Sequence, residues 1–271
     1  MNVKVWLGAM LLCLATSVTS IGYAADKRAL VADLVFELGY GRAIHHFKDY
    51  VLRGEDDYRL QARKYFVSAR EKVAALRQVK NLTEKEIAAL DDLDGVIQSY
   101  LGALSTIQSA YRHSRGLVQV LTTTDDRVHI DDASAIDAIA VLRQGHRWHR
   151  VEKLVFVLGY GSAIYNFKNY LIRRDEQYRK WADAQFEEAL QLVAEIRWRE
   201  RKNPPKVKAL ENIKSVLEAY RAALPLMART LKPSMETSSN IVVNIAVRGA
   251  DRALKVDDKP AFDGIALLLG R

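Results

Sequence analysis

LVFELGYGRAIHHFKDYVLRGEDDYRLQARKYFVSA, from Leu34 to Ala69, returns as LVFVLGYGSAIYNFKNYLIRRDEQYRKWADAQFEEA from Leu154 to Ala189, with eighteen of the 36 aligned positions identical. The offset of 120 continues without a gap: ALDDLDGVIQSYLGAL from Ala89 lines up with ALENIKSVLEAYRAAL from Ala209. Further on, IDDASAIDAIAVL from Ile130 matches VDDKPAFDGIALL from Val256 at an offset of 126, so the second copy carries six more residues between these blocks. A period this long is a duplicated unit of domain size, not a short solenoid repeat. Whatever the protein does, a unit of about 120 residues does it, or two of them do it together.

Within the units the periodicity is helical. Phe36, Tyr40, Ile44, Phe47 and Val51 recur at intervals of three and four, and Phe156, Tyr160, Ile164, Phe167 and Leu171 repeat the stripe. No proline precedes Pro204. In unit 1 the pattern predicts a first helix over Arg28 to Arg53, a second over Glu55 to Gln78, a third over Thr83 to Leu121 and a short fourth near Ala133 to Leu142. Gly54 could end the first helix, but its counterpart is Arg174, so continuity of helices one and two is left open. Thr83-Glu84-Lys85-Glu86 reads as a capping box, and the equivalent position holds Asn203 followed by Pro204, a different device for the same helix start. Asp131-Asp132 and Asp257-Asp258-Lys259-Pro260 place acidic groups at the positive end of each fourth helix. The expected fold is all-α: two tandem four-helix bundle-like units, 25–145 and 146–271, joined through GHRWHR (Gly145 to Arg150) and packed as a dimer within one chain.

Residues 1–24 have the layout of a secretory signal peptide: Lys4, an apolar run from Val5 to Ala15, and Gly22-Tyr23-Ala24 before Ala25. Val5 to Ala25 read as an uncleaved anchor is the alternative, but the unbroken apolar run is shorter than the ~18 residues typical of a span. Cleavage predicts a periplasmic or secreted product. The single cysteine, Cys13, lies in the leader, so a cleaved chain would have no disulfides, thiolate metal sites or cysteine nucleophile. With 49% hydrophobic residues it has the means to hold itself together by packing. The net charge of +8 is interspersed with acidic residues, which reads as solvated helix faces and, outside the cytoplasm, points to anionic ligands before nucleic acid.

Two further stripes cross the repeated motif. Gly39 and Ala43, like Gly159 and Ala163, form a small-residue pair that lets another helix approach. Gly41, His45 and Lys48, and in unit 2 Gly161, Tyr165 and Lys168, set a missing side chain beside a ring and a cation, a dent fit for a small polar or anionic ligand. Arg53 follows Asp49 at four residues, whereas Arg173 follows Asn169, so an intrahelical ion pair does not account for both arginines. Tyr40, His45, Lys48, Arg53, Tyr160, Tyr165, Lys168 and Arg173 are therefore the candidate ligand-binding residues. Helices sealed over the dent would favour a scaffold; an open notch would favour sensing. His45-His46 point to different faces and their counterparts are Tyr165 and Asn166, so no metal site is expected. No nucleophile elbow, phosphate-binding glycine loop or zincin motif occurs, and no catalytic residue, enzyme activity or cofactor is assigned. Asn81-Leu82-Thr83 fits the glycosylation sequon but already serves as a helix start.

The run Gly39-Tyr40-Gly41, Ala43-Ile44-His45, Phe47-Lys48, Tyr50-Val51-Leu52-Arg53 resembles the extracytoplasmic sensory module of bacterial methyl-accepting chemotaxis receptors and related membrane signalling proteins. Val256-Asp257-Asp258-Lys259-Pro260-Ala261 resembles the segment that closes such modules, and Ile130 to Ala135 does so more loosely. The resemblance covers nearly all of both units. It implies a helical ligand-sensing fold beside the membrane, here as two covalently joined modules whose sequence runs out at Arg271 without a second membrane helix or signalling domain. The expected protein is a non-enzymatic sensory or binding protein for a small polar or anionic ligand or a membrane-bound signalling partner, monomeric with an internal dimer-like pair. A structural envelope scaffold is the alternative.

Overall fold

The computed structural model describes residues 27–113, 130, 132–236 and 256–270. The leader, its cut after Ala24 and the end of the predicted third helix lie outside them. All regular structure among the described residues is α-helical. Unit 1 contributes α1 (27–38), α2 (Ala43–Arg53), α3 (Asp56–Arg77), α4 (Glu84–His113) and α5 (Ala133–Arg143). Unit 2 contributes α6 (Arg150–Leu158), α7 (Ala163–Arg173), α8 (Glu176–Arg199), α9 (Pro204–Glu236) and α10 (Lys259–Leu269). Each unit packs these in sequence: α2 on α3, α3 on α4 and α4 on α5, then α7 on α8, α8 on α9 and α9 on α10.

One predicted helix is broken. The stretch from Arg28 to Arg53 is two helices, because Gly39 to Arg42 form a tight turn in which the Arg42 amide donates to the Gly39 carbonyl at 3.2 Å. Gly41 sits at φ +76°, and a Cβ there would come within 2.6 Å of the Phe262 ring. Gly161 repeats the turn at φ +76°, against Ile136. The apolar stripe survives this break in burial but not in destination. Ile44, Phe47 and Val51 join a core with Phe66, Leu93 and Ile97, whereas Phe36 and Tyr40 join the core of unit 2. Conversely, Tyr160 and Tyr165 belong to the first core.

The open question of continuity is decided the same way in both units. Gly54 ends α2 at φ +74°, with its amide on the Tyr50 carbonyl at 2.8 Å, and Arg174 ends α7 at φ +60° with the same bond to Tyr170. A non-glycine residue thus adopts the left-handed cap that glycine provides in unit 1. The α4 start is the expected capping box, the Thr83 amide donating to Glu86 at 2.9 Å, and α9 starts with the Lys206 amide on Asn203 at 3.3 Å.

Matched aromatic trios fill the two cores. Phe66 stacks on Tyr100 at 5.0 Å with Phe47 edge-on, and Phe186 stacks on Tyr220 at 5.6 Å with Phe167 edge-on. Full burial of such rings contributes about 1.5–3 kcal/mol each.

Candidate functional site

The two copies of the GYG motif meet each other. A Cβ on Gly39 would stand 3.4 Å from the Cα of Gly159, and one on Gly159 would stand 3.3 Å from the Cα of Gly39. The small residues expected to admit a neighbouring helix admit each other's backbone. This approach brings α2 and α7 together, and their polar residues cross the seam in reciprocal pairs. Lys168 Nζ donates to Asp49 Oδ1 at 2.5 Å, and Lys48 Nζ donates to Asn169 Oδ1 at 2.7 Å. Each lysine meets the residue that follows the other lysine in the chain.

The tyrosines of the motif cross over too. Tyr40 donates to Asp258 at 2.5 Å, where Tyr220 also donates at 2.7 Å. Tyr160 donates to Asp132 at 2.5 Å, joined by short bonds from Tyr100 and Tyr165. Each of these aspartates therefore holds a tyrosine of its own unit and a motif tyrosine of the other. The sequence placed Asp132 and Asp258 as charge complements at helix starts; neither side chain caps its helix, and both instead gather phenol hydroxyls. Burial and the neighbouring Asp258 push the Tyr40 and Tyr220 phenols well above their usual range, and burial with Asp132 does so for Tyr100, Tyr160 and Tyr165. The tyrosines are neutral donors at any physiological pH.

The charge at the seam is uneven. His45 Nε2 lies 3.1 Å from Asp49 and 3.5 Å from Asp258, and Lys168 Nζ is 3.4 Å from the same nitrogen. Burial alone would raise the Asp49 carboxyl, but Lys168 and His45 outweigh it and hold the group well below the carboxylate range. Tyr165 replaces His45 in unit 2, and its ring lies under Lys48 at 4.5 Å. Lys48, Lys168, His45, Asp49 and Asn169 are all buried.

Six of the eight candidate ligand residues thus converge on one seam: Tyr40, His45, Lys48, Tyr160, Tyr165 and Lys168. Arg53 and Arg173 do not join it. They donate to Tyr58 at 2.5 Å and Tyr178 at 2.6 Å, bracing the breaks between α2 and α3 and between α7 and α8, with Asp49 3.7 Å from Arg53. The dent itself is closed. Phe262 covers Gly41, Ile136 covers Gly161, and the cavity left among the two lysines, Tyr40, His45 and Tyr165 has a volume of about 10 Å³, too small for an organic ligand. Asp132, Asp258, Tyr100 and Tyr220 escaped the sequence reading of the site. Their recurrence at offsets of 126 and 120 was the available signal.

His46 points away from the seam and stacks on Tyr65 at 5.6 Å, where burial and then His45 lower it to about 3. Among the described residues no group of three or more His, Asp or Glu side chains is arranged to hold a metal ion. No protein-family model, curated protein or solved structure matches the chain.

Proposed function

We propose that the protein is an exported, non-enzymatic binding or sensory protein in which two homologous helical units pack as a dimer within one chain. Its ligand is a small polar or anionic molecule, and the seam between the units registers its presence or passes it to a membrane-bound signalling partner. The observation that carries this reading is the reciprocal polar seam: Lys168 on Asp49, Lys48 on Asn169, Tyr40 on Asp258 and Tyr160 on Asp132. Taking such charges out of water costs several kcal/mol per ion, and well-packed apolar residues would join two units at least as firmly. A seam built this way specifies one register between the units, a property suited to a joint whose geometry a ligand can bias. The resemblance to chemotaxis-receptor sensory modules supports the same class, and none of the described helices is long and apolar enough to cross a membrane.

The closed dent favours a second reading, an envelope scaffold whose seam only fixes geometry. A thermal-shift screen with small metabolites and anions separates the two, since a ligand selective for the folded state raises its melting temperature. Binding predicts at least one stabilising compound. Lys48→Ala and Lys168→Ala then tell whether the seam residues contact it. A screen without a single hit leaves the scaffold.

A further inference from the structure

An opening of mixed chemistry lies further along the facing surfaces of the two units. It has a volume of about 190 Å³, somewhat more than the ~150 Å³ cavity that accepts a benzene ring. Corresponding residues of the two units line it: Val35 with Val155, Phe36 with Phe156, and Arg143 with Leu269. The last pair decides its character. At one position unit 1 supplies a guanidinium and unit 2 an isobutyl group, so a cavity built from equivalent faces carries a cation from one unit and an apolar group from the other.

The arginine is held but not neutralised. Its guanidinium lies 3.7 Å over the Phe156 ring and 5.1 Å from that of Trp148. The rings lie against the guanidinium, and its in-plane N–H donors make no hydrogen bond to another described residue. No carboxylate among the described residues lies within ion-pair distance of it. Glu152, the acidic residue nearest in effect, is already engaged by Arg28 at 2.6 Å and by the His149 amide at 2.7 Å. Burial lowers the Arg143 pKa, with Glu152 opposing, in keeping with a cation partly stripped of water. A planar fork pre-positioned by stacking is suited to a carboxylate. Glu152 and Asp33, also on the wall, disfavour a second negative charge.

We propose that this cavity binds a small monocarboxylic acid with a single-ring or short apolar body, its carboxylate on Arg143 and its body against Val35, Val155 and Leu269. The proposal rests on the binding-protein reading and names that ligand's class and place.

Calorimetry on the purified protein with benzoate, phenylacetate, benzyl alcohol and citrate tests it. The two monocarboxylates are expected to bind, with benzyl alcohol and citrate at least about tenfold weaker, the effect of losing a charge-assisted bond or adding unmatched charge. Arg143→Met, which keeps the stem over Phe156, should weaken benzoate by at least about tenfold, and Leu269→Trp should abolish it by filling the cavity. Equal affinity for benzoate and benzyl alcohol on the wild type overturns the proposal without any variant. So does an Arg143→Met protein that melts normally and binds benzoate unchanged, or a wild type that binds neither acid. A screening hit whose affinity ignores Arg143 sinks this cavity and leaves the binding reading intact; a screen with no hit at all sinks both.

Discussion

Unit 1 and unit 2 share a backbone plan but not a charge plan. At the seam, unit 1 presents His45 and Asp49 where unit 2 presents Tyr165 and Asn169, so Lys168 faces a carboxylate while Lys48 faces a carboxamide and a ring. Away from the seam, His46 stacks on Tyr65, whereas the equivalent pair is Asn166 donating to Gln185 at 2.8 Å. At the helix break, Gly54 is matched by Arg174. Geometry is held by what the copies have in common, namely the facing glycines, the core rings and the tyrosine–aspartate clusters. Electrostatics has been free to diverge, and unit 1 carries most of the titratable burden.

The largest expected effect tests that burden directly. Asp49→Ala leaves Lys168 buried without its carboxylate and should cost about 3–5 kcal/mol, as breaking one side of a buried pair does. Asn169→Ala, the same change in unit 2, removes only a charged donor's neutral acceptor and should cost about 1–3 kcal/mol. Urea unfolding of both variants checks the ranking; equal losses would mean that the asymmetry at the seam has no energetic weight.

A second contrast is with pH. The His46 ring has a pKa of about 3 in the folded chain against about 6.5 when unfolded. As pH falls below 6.5 the unfolded state takes up the proton first, so stability present at neutral pH is lost between about 6.5 and 3. The loss by pH 4 should be at most about 3 kcal/mol. His46→Asn, which copies unit 2, should flatten that window. Asp49 acts lower down: its depressed pKa contributes stability that is complete above about pH 4 and is lost as pH falls further, so this limb should persist in His46→Asn and shrink in Asp49→Asn. Thermal melts from pH 7 to pH 3 distinguish the two limbs.

The smallest effect sits at the break. Arg174→Gly should stabilise the protein by about 0.5–1 kcal/mol, because glycine adopts the left-handed cap without a Cβ penalty. Gly54→Ala should destabilise by more than that, since its Cβ would meet the Tyr111 ring at 2.6 Å at a φ of +74°. Opposite signs in a pair of melting curves confirm that both units need the same cap.

Much of this was legible from residues alone. The duplication, the helical period and the capping box at Thr83 were readable, as was the recurrence of Tyr40, His45 and Lys48 as Tyr160, Tyr165 and Lys168, but not that the two sets meet. The break at Gly39 to Arg42 was not, because a four-residue turn returns the chain to nearly the same three-and-four spacing, and the apolar stripe runs through it unchanged. Asp49 read as an intrahelical partner for Arg53, and Asp132 and Asp258 as dipole complements. Local rules assign a carboxylate to its sequence neighbours; Asp132 and Asp258 find their tyrosines on other helices, and Asp49, which keeps Arg53 at 3.7 Å and His45 at 3.1 Å on its own helix, takes its nearest cation, Lys168, from another.

What repeats is written in the residues: two units of one helical plan, with buried faces marked by spacing and helix ends marked by caps, since these depend on interactions within a few residues. How the units use one another was set by long-range packing. It closed the dent with Phe262, exchanged Tyr40 and Tyr160 between the cores, and brought Arg143 and Leu269 to the wall of one cavity. Those outcomes depend on the approach of two distant surfaces, which no local period encodes.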